Sequence, residues 1–331
     1  MRVRAVFSMS PPSLVGQLFT PEMLRELEAL VQIDTGSVVS ELDDAGRAAL
    51  RDADLVLGGW GAPRIAVDDA PELRAVVYLG GVAATCLDEP ARWAERGISA
   101  ANARSINAIP VAEYALAMIL LAGKDVFAAE RSYRDRLALP DRSHELTSIG
   151  NYRRTIGIVG LSQIAQVLIE LLRPFDLDVV VYSPSLTRAR ADALGVRMAT
   201  LDGVMAGSDV VSLHQAVTPA TVGQIDARLL ASMRDGATLL NTARGAVIDQ
   251  DALVRELRTG RIRAILDVTE PEPLPPTSEL WQLPNVTLTP HLAGSIGTEL
   301  HRMGANAVAE VRRFVAGEPF AHPESIGGGA R

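Results

Sequence analysis

The strongest constraint in this chain is a set of short runs that are apolar on both faces. Asp178-Val-Val-Val-Tyr182, Asp209-Val-Val-Ser-Leu213 and Ala237-Thr-Leu-Leu-Asn241 lack the polar alternation of a half-solvated sheet. Strands of that kind must be covered on both sides. Helical patterns lie between most of them, which points to an α/β fold with parallel sheets. In the second half, strands are expected near 155–160, 178–182, 195–198, 209–214, 237–242, 262–268 and 286–289. The first hundred residues carry the same rhythm more weakly. Arg4-Ala-Val-Phe7, Asp54-Leu-Val-Leu-Gly58 and Leu73-Arg-Ala-Val-Val-Tyr78 read as strands. Thr20 and Pro21 supply an N-cap and a helix-starting proline for a helix through Leu30. A strongly apolar helix over 109–123 separates the halves. It is followed by a polar, Arg-rich stretch from Asp125 to Arg154 that reads as an exposed arm or a long connection.

A length of 331 residues suggests two domains at about 150 residues each. The balance of 40 acidic against 32 basic residues argues against a nucleic-acid surface. Cys86 is the only cysteine, which excludes an internal disulfide and a cysteine-based zinc site, and no metal is expected. The apolar run at the N-terminus is too short for a signal-peptide core. The longest apolar stretch, Val111 to Gly123, is interrupted by Glu113 and closed by Lys124, short of a bilayer span. A cytoplasmic chain with no membrane partner is the simplest reading. The tail beyond Glu324 is expected to fray.

Several segments carry chemistry. Thr155-Ile-Gly-Ile-Val-Gly160-Leu-Ser162-Gln-Ile-Ala165 is a strand, a turn and a helix start, where free amides and the helix dipole favour a pyrophosphate. The dinucleotide fingerprint G-x-G-x-x-G is reduced here to G-x-S-x-x-A, so a plain strand–turn–helix is an equal reading. At the end of the next strand, Ser183 stands where an aspartate would bind the ribose of NAD. Ser183 cannot repel a 2′-phosphate, and Arg188 and Arg190 follow; a surface turn with solvated arginines is the alternative. Arg244, Glu270 and His291 each lie just past a strand of the second half. Arg244 has a fork suited to a carboxylate. A carboxylate such as Glu270 beside an imidazole such as His291 makes an acid/base couple. Taken singly, they also read as a turn arginine, a solvated acid and a capped loop histidine.

Together these segments resemble the D-isomer-specific 2-hydroxyacid dehydrogenase family, which includes phosphoglycerate dehydrogenase and glyoxylate/hydroxypyruvate reductases. The likeness runs from about Leu73 to Gly317. It is strongest in Ser208-Asp-Val-Val-Ser-Leu-His214, NTARGAVIDQDAL, ILDVTEPEPLP and LPNVTLTPHLAGS, with Asn107 and Val111-Ala112-Glu113 as a further block. It implies two Rossmann-like, doubly wound parallel-sheet domains with a cleft between them. The substrate domain would comprise 1–103 and a returning segment 293–331, and the cofactor domain 104–292. It implies hydride transfer between NAD or NADP and a small 2-hydroxy or 2-oxo acid. Carried over, Arg244 matches the substrate arginine, His291 the acid/base, Glu270 the acid that orients it, and Asp267 the partner of the nicotinamide carboxamide. Gly80 and Gly81 match the substrate loop. Cofactor contacts are implied at Gly160, Ser162, Gln163, Ile164, Ser183, Arg188, His214, Thr218, Thr242, Ala243, Asp267, His291 and Gly294. A homodimer is implied as well.

Four departures stand out. Ser162 and Ala165 replace glycines of the fingerprint. Ser183 replaces the usual aspartate, so NADP is expected to be tolerated or mildly preferred. The loop after Gly80 reads Gly81-Val-Ala-Ala-Thr85 in place of V-G-V-D-N, and 125–152 lacks the family tryptophan. Some relatives on this fold act as corepressors, so a nucleotide-sensing binding protein is the alternative.

Overall fold

The computed structural model describes residues 2–327, which form two compact units. One holds the residues up to Asn107 together with those from Ser295 onward, and the other is Ala108–Gly294.

The first unit contains β1 (Ala5–Ser8), β2 (Val38–Val39), β3 (Leu55–Gly58), β4 (Ala75–Tyr78) and β5 (Ser99–Asn102), all parallel, in the order β2-β1-β3-β4-β5. Successive side chains of a strand point to opposite faces. Leu55, Leu57, Ala75 and Val77 therefore join Phe7 and Leu27 on one side, while Val56, Val76 and Tyr78 meet Leu50 and Trp93 on the other. The helix Pro21–Leu30 starts as expected, with the Thr20 hydroxyl accepting from the Met23 amide at 3.3 Å. The helix Leu300–Ala316 returns from the far end of the chain and buries Met303, Ala307 and Val311 in the same core. Its Gly304 admits the Leu18 carbonyl where a Cβ would overlap it.

The second unit contains β6 (Thr155–Val159), β7 (Asp178–Tyr182), β8 (Arg197–Met198), β9 (Val210–Leu213), β10 (Thr238–Asn241), β11 (Arg263–Leu266) and β12 (Val286–Leu288). All are parallel, in the order β12-β11-β10-β9-β6-β7-β8. Both faces are covered: Val211, Leu239 and Leu266 pack with Leu229 and Leu253, and Ile156, Ile158, Leu240 and Ile265 with Leu168 and Ile119. The order reverses between β6 and β9. In doubly wound sheets a ligand binds beyond the C-terminal ends of the strands at such a reversal.

Four expectations need correction. The apolar helix is longer than 109–123: it spans Arg104–Gly123, 20 residues, and is long and apolar enough to cross a membrane. It is a core helix nonetheless, because Ala112, Ala115 and Ile119 are buried against Ile156 and Leu168. The polar stretch after it contains a helix, Val126–Arg136, none of whose residues is buried. Two strands, Val38–Val39 and Ser99–Asn102, had no sequence signal. Beyond Glu324, Ile326 packs against the core of the first unit, while the last residues of the tail lie outside the described chain.

Candidate active site

The dinucleotide turn leaves β6 at Gly160, whose φ of +93° favours glycine and whose missing Cβ would lie 2.8 Å from the backbone of Gln215. The turn is thereby pressed against the end of β9. Ser162 sits at φ −71° and ψ 175°, an ordinary extended conformation, and caps the helix Gln163–Leu172 by accepting from the Ala165 amide at 3.3 Å. Capping uses a lone pair of the hydroxyl and leaves its proton to donate. Gln163 and Ile164 supply first-turn amides that have no acceptor within the helix. Ala165 is wholly buried, so the loss of the third glycine is absorbed in packing.

At the end of β7, Ser183 accepts from the Ser185 amide and lies 3.0 Å from its hydroxyl. Arg188 is highly exposed and pairs with Asp192 at 3.3 Å. Arg190 instead reaches Gln166 at 2.7 Å, and Gln166 in turn donates to the Ser162 carbonyl at 3.3 Å. Arg190, not Arg188, is the cation tied to the dinucleotide turn. His214 closes β9 with its amide on the Val159 carbonyl. Its ring is buried, Nε2 lies 2.8 Å from the Ser212 hydroxyl, and Nδ1 has no partner among the described residues. Burial pushes its pKa down to about 4, so the ring is neutral. Thr218 lies in an exposed turn, its amide on the Thr221 hydroxyl at 2.7 Å.

After β10, buried Asn241 shapes the turn: its Oδ1 accepts from the Ala243 amide at 3.0 Å and its Nδ2 donates to the Arg244 carbonyl at 2.9 Å. Thr242 is buried, and its hydroxyl has no partner among the described residues. Arg244 is exposed and donates from Nη1 to the Ala243 carbonyl at 2.6 Å. That leaves the Nε–Nη2 edge available for a carboxylate. Gly245 follows because a Cβ there would overlap the backbone of Thr269. The loop after β11 therefore lies directly on the arginine turn.

The histidine–carboxylate pair differs from the expected one. His291 Nδ1 lies 2.6 Å from Glu272 Oε1, and Glu270 does not make this contact. Glu270 is instead positioned through its amide, which donates to Gln250 at 3.0 Å. The run Glu270-Pro-Glu272-Pro offers two candidates, and only the path of the loop separates them. Because an ionised carboxylate only accepts, Nδ1 carries the proton and Nε2 is the working nitrogen. His291 has φ +52°, a costly conformation for histidine. Its amide donates to the Asp267 carbonyl at 3.0 Å. Asp267 is buried and accepts from Thr289 Oγ1 at 2.6 Å and from the amides of Leu292 and Ala293 at 2.9 and 3.0 Å. The Tyr114 hydroxyl completes the chain at 2.8 Å from Thr289, and burial raises its pKa. Asp267 thus organises the histidine loop, which extends through Gly294. Asn241, Thr289 and Tyr114 gave no functional signal in the sequence. Gly80 and Gly81, the expected substrate loop, follow β4 in the first unit.

A model of the D-isomer specific 2-hydroxyacid dehydrogenase NAD binding domain matches residues 116–293. This chain belongs to that family. D-3-phosphoglycerate dehydrogenase of Mycobacterium tuberculosis is 36% identical over 261 residues, covering 78% of this chain and 48% of the relative. The chain thus spans about half the length of these curated relatives. A phosphoglycerate oxidoreductase from Rhizobium etli is 25% identical with a TM-score of 0.82, covering 98% of each chain. The apo D-mandelate dehydrogenase of Rhodotorula graminis is 25% identical with a TM-score of 0.77, also over 98% of each chain. The family's cofactor suits the residues present. The sheet reverses at β6 and β9, the Gly160 turn brings first-turn amides to that point, and Ser162 keeps a donor there.

Proposed function

We propose that this 2-hydroxyacid dehydrogenase family member is an NAD(P)-linked oxidoreductase that interconverts small 2-hydroxy and 2-oxo acids. The observation that carries the reading is the His291–Glu272 pair at 2.6 Å, on loops that follow adjacent strands, with Arg244 at the end of the next. A sensor has no need of such a couple. The second unit serves as the cofactor domain and the first as the substrate domain. A bound nicotinamide supplies or accepts the hydride. Arg244 holds the substrate carboxylate through its Nε–Nη2 edge. In the reducing direction His291, protonated on both nitrogens, gives the Nε2 proton to the C2 oxygen. Glu272 accepts from Nδ1, which holds that proton in place and keeps Nε2 turned outward to the reaction. In the oxidising direction Nε2 takes the proton back.

NADP is used at least as well as NAD, since Ser183 carries no charge to repel a 2′-phosphate and Arg190 is held beside the turn. The chain works in the cytoplasm as a homodimer. The exposed apolar residues Tyr133, Leu137, Leu139 and Tyr152 on and after the helix Val126–Arg136 support an interface there. The test is a panel of 2-oxo acids, among them pyruvate, glyoxylate, hydroxypyruvate, 3-phosphohydroxypyruvate and phenylglyoxylate, with NADH and NADPH. Loss of reduced-cofactor absorbance with at least one acid is expected. None with any acid would favour a binding protein.

A further inference from the structure

We infer that Glu324, in the C-terminal tail, and Arg104, at the start of the long helix, are positioning residues for the substrate loop Gly80–Thr85. The inference rests on the proposed dehydrogenase activity. In a trans peptide the carbonyl and the following N–H point in opposite directions. The Gly80 carbonyl accepts from the Ala103 amide at 2.9 Å, and the Gly81 carbonyl from Arg104 Nε at 3.1 Å. Both carbonyls are thus drawn to one side, and the Gly81 and Val82 amides face the other. Those two amides have no acceptor among the described residues.

The next two amides are already engaged. Ala83 and Ala84 open a short 3₁₀ turn and donate to the two oxygens of Glu324 at 2.8 and 3.2 Å. Asn102 adds a third bond to the same carboxylate at 2.6 Å. An anion therefore has a defined place on this loop, at Gly81 and Val82, because the chain's own carboxylate fills the adjacent one. The Tyr78 ring confines the backbone, since a Cβ at Gly80 would overlap it, and the Cys86 thiol donates to the Ala83 carbonyl at 3.1 Å; burial pushes that thiol up to about 12, which keeps it inert.

The tail that delivers Glu324 is itself built in. Buried Glu310 accepts from the amides of Ala321 and His322 at 2.9 and 2.8 Å. The tail then pairs with β5, the Asn102 amide donating to the His322 carbonyl at 3.1 Å and the Glu324 amide to Ala100 at 2.8 Å. Glu324 arrives on a segment bridged to β5, so its carboxylate acts as a strut. Losing it frees two amides and lets the loop sample arrangements that do not present Gly81 and Val82 together.

The experiment compares the unsubstituted chain with Glu324→Ala, Glu324→Gln and Arg104→Ala, using the best 2-oxo acid. KM for the acid should rise about tenfold or more in Glu324→Ala, with an intermediate rise in Glu324→Gln, which keeps one acceptor. Arg104 is exposed, so Arg104→Ala should fold normally and raise KM in the same direction. In all three, kcat should stay within about threefold, and NADH affinity, read by fluorescence titration, should not move. A KM unchanged in both alanine variants, including one accompanied by lower kcat from loss of folded protein, would overturn the inference. Absence of turnover in the unsubstituted chain would instead overturn the activity on which it rests.

Discussion

His291 occupies a left-handed backbone conformation that costs on the order of 1–3 kcal/mol. The Asp267 backbone and carboxylate hold that conformation and aim the ring so that Nδ1 meets Glu272. Two neighbouring glutamates compete for the orienting role, and substitution separates them. Glu272→Gln is expected to lower kcat by about 10²-fold, since the charged ring loses its counter-ion, while Glu270→Gln should leave turnover close to normal. Equal losses in both would mean that the loop closes differently around substrate. Arg244→Lys keeps the charge and loses the planar fork, so kcat/KM should fall about 10- to 100-fold. A fully active lysine variant would reduce Arg244 to a local positive charge. A histidine–glutamate pair was legible in the sequence, but not which glutamate makes the contact. Each glutamate is followed by a proline, and tertiary contacts, of Gly245 with Thr269 and of the Glu270 amide with Gln250, fix how the loop runs.

At the scale of elements, strands covered on both faces announce themselves through β-branched and leucine runs, and β6, β7, β9, β10, β11 and β12 lie within two residues of their expected ranges. Ser99–Asn102 was silent because its side chains are small or polar, and it is held by backbone pairing with β4. The helix Val126–Arg136 was silent for the converse reason. With no buried residue it has no apolar stripe, and it relies on pairs such as Arg134–Glu130. The end of β7 carries the cofactor prediction. Ser183→Asp should shift the NADPH/NADH ratio of kcat/KM towards NADH by tenfold or more, about 1.4 kcal/mol. Strong NADH selectivity in the unsubstituted chain would show that another residue reads the ribose. The loop after β12 carries a stability prediction. Asp267→Ala strands the donors of Thr289, Leu292 and Ala293 and should cost on the order of 3 kcal/mol in denaturant unfolding.

For the whole molecule, the fold follows from two parallel sheets whose orders differ, the second reversing where the dinucleotide turn lies. Its stability should depend on pH through His214. The ring's folded pKa lies below its ordinary value of 6.5, at about 4, so the unfolded chain takes up a proton first as pH falls. The contribution of the neutral ring is complete above about pH 6.5 and is lost progressively towards pH 4, about 2 kcal/mol of it between pH 7 and pH 5. Urea unfolding at those two pH values should show a smaller difference in His214→Gln. An identical difference would place the acid sensitivity elsewhere. The central claim, that this chain moves a proton at His291 during reduction of a 2-oxo acid, is tested most directly by turnover. The measurement is acid-dependent oxidation of NADPH or NADH by the unsubstituted chain and by His291→Asn. The expected result is turnover in the first and a loss of about 10²- to 10⁴-fold in the second, with cofactor affinity unchanged. Comparable turnover in the two proteins would contradict it.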